Sequence, residues 1–513
     1  MKRSERAFKN SAISFISQIS SLLITLITRR FFLQYLGVEL LGLNSTFASI
    51  LNTLSLAELG FETAIIYNLY QPLANRDYKK ISVIISVFKR VYYVVAGFMF
   101  IASILCLPFL GNIINGVDIF AIVYIYFLLQ AGNSIVSYLL AYKRTLIYAD
   151  QKEYISQIYD LICNLVFSVL RIIAIVVFKN FAIYLVLQIC QTALSNLLIH
   201  YRCIKLYPEV KNTGFDKEVF LEIFNNVKHV IGSKISMFIN TSTDNLVISI
   251  LIGTIEVGYF TNYTTITSSL KRVVLSVLRP ISPIIGGMLS DKKVDNERRE
   301  MVLRMYSHIG FLFALVILVP TAILLSDFIG VVFGEKFILS NSIVLLIVFD
   351  LYIHFVHRAT CDYINGAGLF KYDKYIEIIG ATINIVISVL LAKRLGIIGV
   401  LIGTVLSGIF FWIGRSWVVY KFCLEWKVKK YFSFWLHNIY ELLVFIVVYV
   451  VCNYLYSRFI NFNNFIVEFI AGGVVCEIIS LIIYMTLFAL SQERAQVFEM
   501  VQNVFINKFV KRK

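Results

Sequence analysis

Apolar residues run through this chain in long stretches, from just behind the N-terminus almost to the C-terminus. A helix rises about 1.5 Å per residue, so roughly 20 apolar residues cross a hydrocarbon core about 30 Å thick. Fourteen such stretches can be read, near 11–33, 40–69, 88–110, 118–141, 155–178, 181–201, 229–252, 258–289, 303–328, 338–361, 375–392, 397–420, 436–456 and 466–490. They are too long for strands of a membrane barrel and lack its two-residue alternation. The pattern predicts an all-α polytopic membrane protein of about 14 transmembrane helices. The first stretch follows Lys2, Arg3, Arg6 and Lys9, but it is too long for a secretory leader and no small-x-small site follows, so it is expected to be a true helix.

Polar residues interrupt these stretches in register. The first carries Ser11, Ser14, Gln18, Ser21, Thr25 and Thr28, and the eighth carries Asn262, Thr265, Ser269, Arg272, Ser276 and Arg279. Both sets recur at alternating steps of three and four, which is one helix face. The second holds Ser45, Ser49, Asn52, Ser55 and Glu58; the seventh holds Ser233, Ser236, Asn240, Thr243 and Asp244. Hydroxyls alone are common at helix contacts in membranes. Cations inside the stretches change the picture, among them Arg29, Arg30, Arg171, Lys234, Lys271, Arg272, Arg279, Arg358 and Arg415. A cation at the bilayer centre costs about 2.5–3.5 kcal/mol unless it faces water or a partner. Glu58, Asp160, Asp350 and Asp362 are available as partners, but Lys271, Arg272 and Arg279 share a stretch with no acidic residue. These residues predict a water-filled cationic cavity, with Arg415, near its helix end, as an exception. Such a cavity suits an anionic substrate, since Arg binds phosphate through paired hydrogen bonds. Pro280 and Pro283 should bend the eighth helix.

The chain also repeats weakly. Residues 36–50, LGVELLGLNSTFASI, and 252–266, IGTIEVGYFTNYTTI, both carry Gly-x4-Gly, at Gly37 and Gly42 and at Gly253 and Gly258. An Asn-x-Val-x-Ser-Val-Leu-like string occurs at 164–170 and 384–390, at a similar offset. Spans 1–6 are thereby equated with spans 7–12. Two pseudo-symmetric six-helix lobes are expected, 1–201 and 229–420, with the substrate path between them. Residues 202–228 form the linker, expected to include an amphipathic helix in the inner interface with Phe215, Val219, Phe220, Ile223, Phe224 and Val227 on one face. Two extra helices, 421–490, and a basic tail, 491–513, complete the chain.

Composition agrees. Hydrophobic residues make up 59% of the 513, and the mean hydropathy is +0.79, beyond what a soluble surface of this length allows. The net charge of +16 lies between spans rather than on a nucleic-acid-binding face. With the N-terminus inside, the inner segments hold 31 Lys and Arg, and the outer ones hold 5, namely Lys179, Lys336, Lys393, Arg394 and Arg458. That bias places both termini on the cytoplasmic side. The 8 cysteines form no CxxC pair and read as small apolar fillers. The 6 histidines are scattered, and His354 with His357 reads as structural. The outer loops are short, and neither a metal-ligand cluster nor a nucleophile–base set is recognisable, so no enzyme is expected.

Five segments carry a resemblance: YLGVELLGL (35–43), LAELGFETAIIYNLYQPLA (56–74), TDNLVISILIGTIEVGYFTNY (243–263), NGAGLFKYDKY (365–375) and NIVISVLLAKRLGIIGVLIGT (384–404). Together they resemble the Wzx-type polysaccharide flippases of the multidrug/oligosaccharidyl-lipid/polysaccharide exporter superfamily, over nearly the whole chain. The resemblance implies alternating access and a bacterial cytoplasmic-membrane location. It implies transfer of an undecaprenyl-diphosphate-linked oligosaccharide to the outer leaflet for capsule, O-antigen or exopolysaccharide synthesis, with the tail in membrane lipid. Partners would be a polysaccharide polymerase and chain-length proteins. Substrate binding falls to Arg29, Arg30, Arg171, Lys234, Lys271, Arg272, Arg279 and Arg358, and polar lining to Asn52, Glu58, Asn262 and Ser269. The related lipid II flippases, more distantly similar, imply a Na⁺ site whose matching positions here are Asp244, Asn384, Ser388, the Val400 carbonyl and Thr404. Ser388 stands where a carboxylate is expected, which lowers the charge of that site. Na⁺ or H⁺ is then the coupling ion, and no other cofactor is implied. The competing readings are a multidrug/cation antiporter of the same superfamily, which should prefer an acidic cavity, and a membrane polysaccharide polymerase.

The charge bias generates a prediction about topology. Alkaline phosphatase fused after residue 179 or 336 should be active, and fused after residue 150 or 427 inactive; the reverse pattern would invert the orientation.

Overall fold

The computed structural model describes residues 3–58, 61–117, 121–211, 213–221, 223–224, 243–278, 281–291, 293–459, 465–489, 491 and 494–495. Helices and turns, with no strand, make up the described residues. Among the described residues, eleven helices are long and apolar enough to cross a membrane. These eleven coincide with expected spans 1, 3–6 and 9–14.

The other three spans depart from that pattern for separate reasons. The second is broken into Gly37–Leu54, a 3₁₀ turn over Ser55–Glu58, and Phe61–Asn75. This corrects the continuous helix expected over 40–69. Ser55 Oγ donates to the Asn52 carbonyl at 2.7 Å, a local bond that competes with the helix ladder. Glu58 turns to accept the Tyr92 hydroxyl at 2.8 Å. The seventh is described only from residue 243, so Ser233, Lys234, Ser236 and Asn240 lie outside the described residues. The eighth comprises Thr254–Leu278 and Ile281–Ser290. Arg279 and Pro280 between them are outside the description, and so is the bend expected there.

A helix in lipid buries its polar face and exposes its apolar one, because hydrocarbon offers no hydrogen bonds. Glu153–Phe178 shows this arrangement. Leu165, Val166, Val169, Ile173 and Val177 are exposed, while Cys163, Phe167, Ser168, Arg171 and Ala174 are buried against protein. This helix packs against Arg3–Tyr35 and Phe181–Leu206, and the last also packs against Ala121–Ala141.

The chain divides into two compact units: residues 1–262 with 389–400, and residues 263–388 with 401–513. The division falls beyond the 202–228 linker, and local bonds explain why. Lys211 N and Thr213 N donate to Ser82 Oγ and Ser86 Oγ at 3.1 and 2.8 Å, which fastens the linker to Tyr78–Cys106. Further on, Ser249 Oγ donates to the Ile113 carbonyl at 2.8 Å and Thr254 N to the Asn115 carbonyl at 2.9 Å. The part of the linker beyond residue 224 is outside the described residues. In the second unit, Val428–Phe459 and Phe465–Leu487 pack on Val319–Phe333, so the two C-terminal helices join that unit.

Within the first unit the repeated glycines meet. A Cβ on Gly42 would lie 2.0 Å from the Thr254 carbonyl oxygen, and one on Gly258 would lie 2.6 Å from the Val38 carbonyl oxygen. Small residues let the two backbones approach this closely. Gly42→Val should therefore destabilise the protein by about 1–3 kcal/mol, lowering its thermal midpoint in detergent. Gly97→Val should not, because a Cβ there meets nothing within 4 Å.

Candidate functional site

The polar face of the first helix opens onto two adjoining cavities in the first unit. The larger, ≈ 600 Å³, is lined by Ser17, Ser21, Glu58, Glu62, Tyr92, Tyr138, Arg144, Asp160, Asn164, Gln191 and neighbouring residues. The smaller, ≈ 210 Å³, is lined by Thr25, Thr28, Arg29, Asn44, Asn164, Ser168, Arg171 and Tyr184, among others. Asn164 belongs to both walls: its Nδ2 donates to Ser21 Oγ at 3.4 Å, and its Oδ1 accepts from Gln191 Nε2 at 3.4 Å. Together the cavities form a polar tract with a different charge at each end.

At the cationic end, Arg171 Nη2 donates to Ser168 Oγ at 2.9 Å and to Asn164 Oδ1 at 3.4 Å. Its guanidinium also lies 5.4 Å from the centre of the Tyr184 ring, within cation–π range. Arg29 Nη1 donates to the Thr261 carbonyl and to Asn262 Oδ1. Among the described residues neither Arg forms a salt bridge. Among the described residues both guanidinium groups are thus held by neutral acceptors, with no carboxylate in ion-pair contact.

At the other end Glu58 and Glu62 face the cavity beside Tyr92 and Tyr138. Asp160 is held by a two-pronged pair with Arg144, at 2.8 and 3.0 Å, and by Ser195 Oγ. Arg144 lies outside the spanning segments. Burial alone would lower its pKa, but the adjacent Asp160 carboxylate outweighs burial and holds it above its ordinary range.

The remaining expected site residues are dispersed. Arg30 and Asn52 are exposed and line neither cavity. Glu58 lines the larger cavity, and Asn262 is buried against Arg29. Lys234 and Arg279 lie outside the described residues. In the second unit, exposed Arg272 donates to buried Ser269 Oγ at 2.8 Å. Lys271 is half-buried with Asp350 and Arg358 as charged neighbours. Arg358 grips Asp362 at 2.7 and 3.1 Å, and Asp362 also accepts the Tyr306 hydroxyl at 2.7 Å. Arg415 meets Asp373 at 2.7 Å and Glu377 at 3.0 Å. Of the five positions matched to a Na⁺ site, Asp244 and Val400 belong to the first unit, and Asn384, Ser388 and Thr404 to the second. There Asn384 Nδ2 donates to Thr404 Oγ1 at 3.1 Å, and Ser388 Oγ lies 2.3 Å from where a Cβ on Gly403 would sit.

Sequence reading passed over the stripe Asp160, Asn164, Ser168, Arg171. Its steps of four, four and three were available as a signal, as was the run Gln191, Thr192, Ser195, Asn196 on the facing helix. It also passed over a cluster of His308, His437 and Glu441, in which His437 and Glu441 are four apart on one helix and His308 reaches them only by packing.

No family model matches the chain. It is 30% identical over 115 residues to an uncharacterized membrane protein of Methanocaldococcus jannaschii, covering 22% of this chain and 23% of that protein. Solved structures match far more of it. The lipid II flippase MurJ, in an inward closed conformation, superposes with a TM-score of 0.68 over 93% of this chain and 98% of its own, at 14% identity. An inward-facing multidrug resistance MATE family transporter of the MOP superfamily gives 0.59 over 79% and 98%, at 14% identity. The eukaryotic MATE transporter AtDTX14 gives 0.56 over 84% and 98%, also at 14% identity. The chain has the fold of these transporters.

Charge pairing makes the cations unequal. Arg415→Ala should destabilise the protein by about 3–5 kcal/mol, because Asp373 and Glu377 lose the cation between them. Thermal unfolding in detergent measures this, and a midpoint equal to wild type would contradict the pairing.

Proposed function

We propose that this chain is a flippase that carries a lipid-linked oligosaccharide diphosphate from the inner to the outer leaflet by alternating access. The observation that carries the proposal is the pair Arg29 and Arg171, which face a polar cavity inside membrane-length helices and form no salt bridge among the described residues. A fixed, uncompensated guanidinium recruits an anion, and a diphosphate offers about two negative charges with paired acceptor oxygens. The adjoining ≈ 600 Å³ cavity, rich in hydroxyl, amide and carboxylate groups, suits hydrogen bonding to a sugar. The lipid tail stays in the bilayer against the apolar helix faces. An outside-positive potential favours outward movement of each negative charge by about 2.3 kcal/mol per 100 mV. The fold shared with a lipid II flippase supports the same reading.

Na⁺ or H⁺ coupling belongs to the same proposal. Asn384 Oδ1 is buried without a hydrogen-bond partner among the described residues, a free oxygen of the type a hard cation takes.

A second reading has its own observation. Glu58, Glu62 and Asp160 put carboxylates in the larger cavity, as an exporter of cationic drugs would require, and MATE transporters share the fold. Variants separate the two. In the flippase reading, Arg171→Ala and Arg29→Ala lower surface polysaccharide at least tenfold at normal protein levels, and Arg171→Lys rescues it poorly because a point charge cannot form the two-pronged bond. Cationic-dye efflux then stays at background. Dye efflux that depends on Glu58 and survives Arg171→Ala would establish the exporter reading instead.

A further inference from the structure

The second unit holds a polar cluster that the proposed transport does not use. His308 lies on Asn296–Phe313, His437 and Glu441 one turn apart on Val428–Phe459, and Tyr484 on Phe465–Leu487. His308 and Glu441 have no exposed side-chain surface, and the His437 side chain is 18% exposed. His308 Nδ1 lies 2.6 Å from Glu441 Oε1, and His437 Nε2 lies 3.1 Å from the same oxygen. One ligand atom from each residue falls within 4.8 Å of the others. The second carboxylate oxygen, Oε2, is buried without a partner among the described residues.

We propose that His308, His437 and Glu441 bind one divalent transition-metal ion of the Zn²⁺ class. Two imidazoles and a carboxylate form a ligand set suited to a borderline-soft ion, and leave Mg²⁺ or Ca²⁺, which want oxygen ligands, poorly served. Charge points the same way. A wholly buried carboxylate calls for a positive charge beside it, and a divalent ion held by the two imidazole nitrogens supplies one. Tyr484 Oη lies 3.0 Å from His308 Nε2, the outer contact that fixes the ring and its tautomer in metal sites. With the proton on Nε2, the Nδ1 lone pair faces the carboxylate, and a cation between them removes the repulsion.

Aromatic rings flank the cluster. The ring of Phe488 lies 5.1 Å from that of His308 and 6.4 Å from that of His437, and Phe311 lies 5.7 Å from His308. His437, at the partly exposed edge, gives the ion its way in. Next to the cluster Ser307 Oγ donates to Asn438 Oδ1 at 3.1 Å, so the same two helices are already joined by a neutral bond. The ion's role is structural: it fastens Val428–Phe459 to Asn296–Phe313, and through Tyr484 the last helix as well.

The test uses the full chain purified in detergent, stripped with EDTA and titrated with ZnCl₂ and, separately, MgCl₂. Wild type should retain one Zn²⁺ per chain after desalting and gain several degrees in thermal midpoint, with no response to Mg²⁺. His437→Gln and Glu441→Gln should each weaken Zn²⁺ retention at least tenfold, and His354→Gln should not. Should Glu441→Gln fail to fold, His437→Gln at the exposed edge carries the test alone. X-ray absorption at the zinc edge should show two imidazoles in the first shell. Absence of stoichiometric Zn²⁺ in wild type, or equal retention in His437→Gln, would leave the cluster a metal-free hydrogen-bonded network, with Nδ1–H donating to the carboxylate, and overturn the proposal.

Discussion

Hydrocarbon cannot hydrogen-bond, and every polar side chain on a spanning helix of this protein is placed under that constraint. Apolar side chains face outward freely, but a polar one must find protein or water. The helix Glu153–Phe178 shows the result, with leucine, valine and isoleucine outside and Asp160, Asn164, Ser168 and Arg171 turned toward neighbouring helices. Facing polar stripes from the first helix and from Phe181–Leu206 complete the walls, and the space between them becomes the polar tract.

The protein holds its arginines inside the membrane-length helices in two ways. In the second unit Arg358 and Arg415 are matched to carboxylates. The Arg358 pair lies within one helix, whereas Arg415 joins Ile397–Phe422 to Phe370–Leu395; in both the charge is matched. In the first unit Arg29 and Arg171 are held by carbonyl, amide and hydroxyl oxygens instead. In the proposed reading their positive charge stays available at a cost of about a few kcal/mol, which a bound anion would offset. Opposite them Glu58 and Glu62 supply the reverse sign. Under the proposed reading, a substrate anionic at one end and rich in hydroxyls at the other would fit both ends of the tract.

The helices were legible because a spanning segment needs length and apolarity, both of which are properties of a continuous stretch. The break at Ser55–Glu58 was not, since it depends on Tyr92, which reaches Glu58 from another helix. The stripe Ser21, Thr25, Thr28 on the first helix was readable from its spacing, and with Arg29 it lines the cavities. Pairing was harder to read. Asp160 was visible as a possible partner for a buried cation, but its mate Arg144 lies in a connecting segment. Arg358 and Asp362 are four apart on one helix, a spacing that announces an ion pair, yet the abundance of nearby cations directed the reading toward a cavity. His308 lies 133 residues from Glu441, and only packing brings it to the His437–Glu441 pair on the other helix.

The account's central claim is that the tract through Asn164 is wet while the opposite face of the same helix is in lipid. Thiol accessibility measures this directly, because a thiol must meet water to ionise and react. In a cysteine-free background in intact membranes, Asn164→Cys and Ser168→Cys should react with a small polar maleimide and be protected by a short-chain polyprenyl diphosphate. Leu165→Cys and Val169→Cys should stay unlabelled. Equal labelling on the two faces, or no labelling at Asn164 and Ser168, would contradict the account.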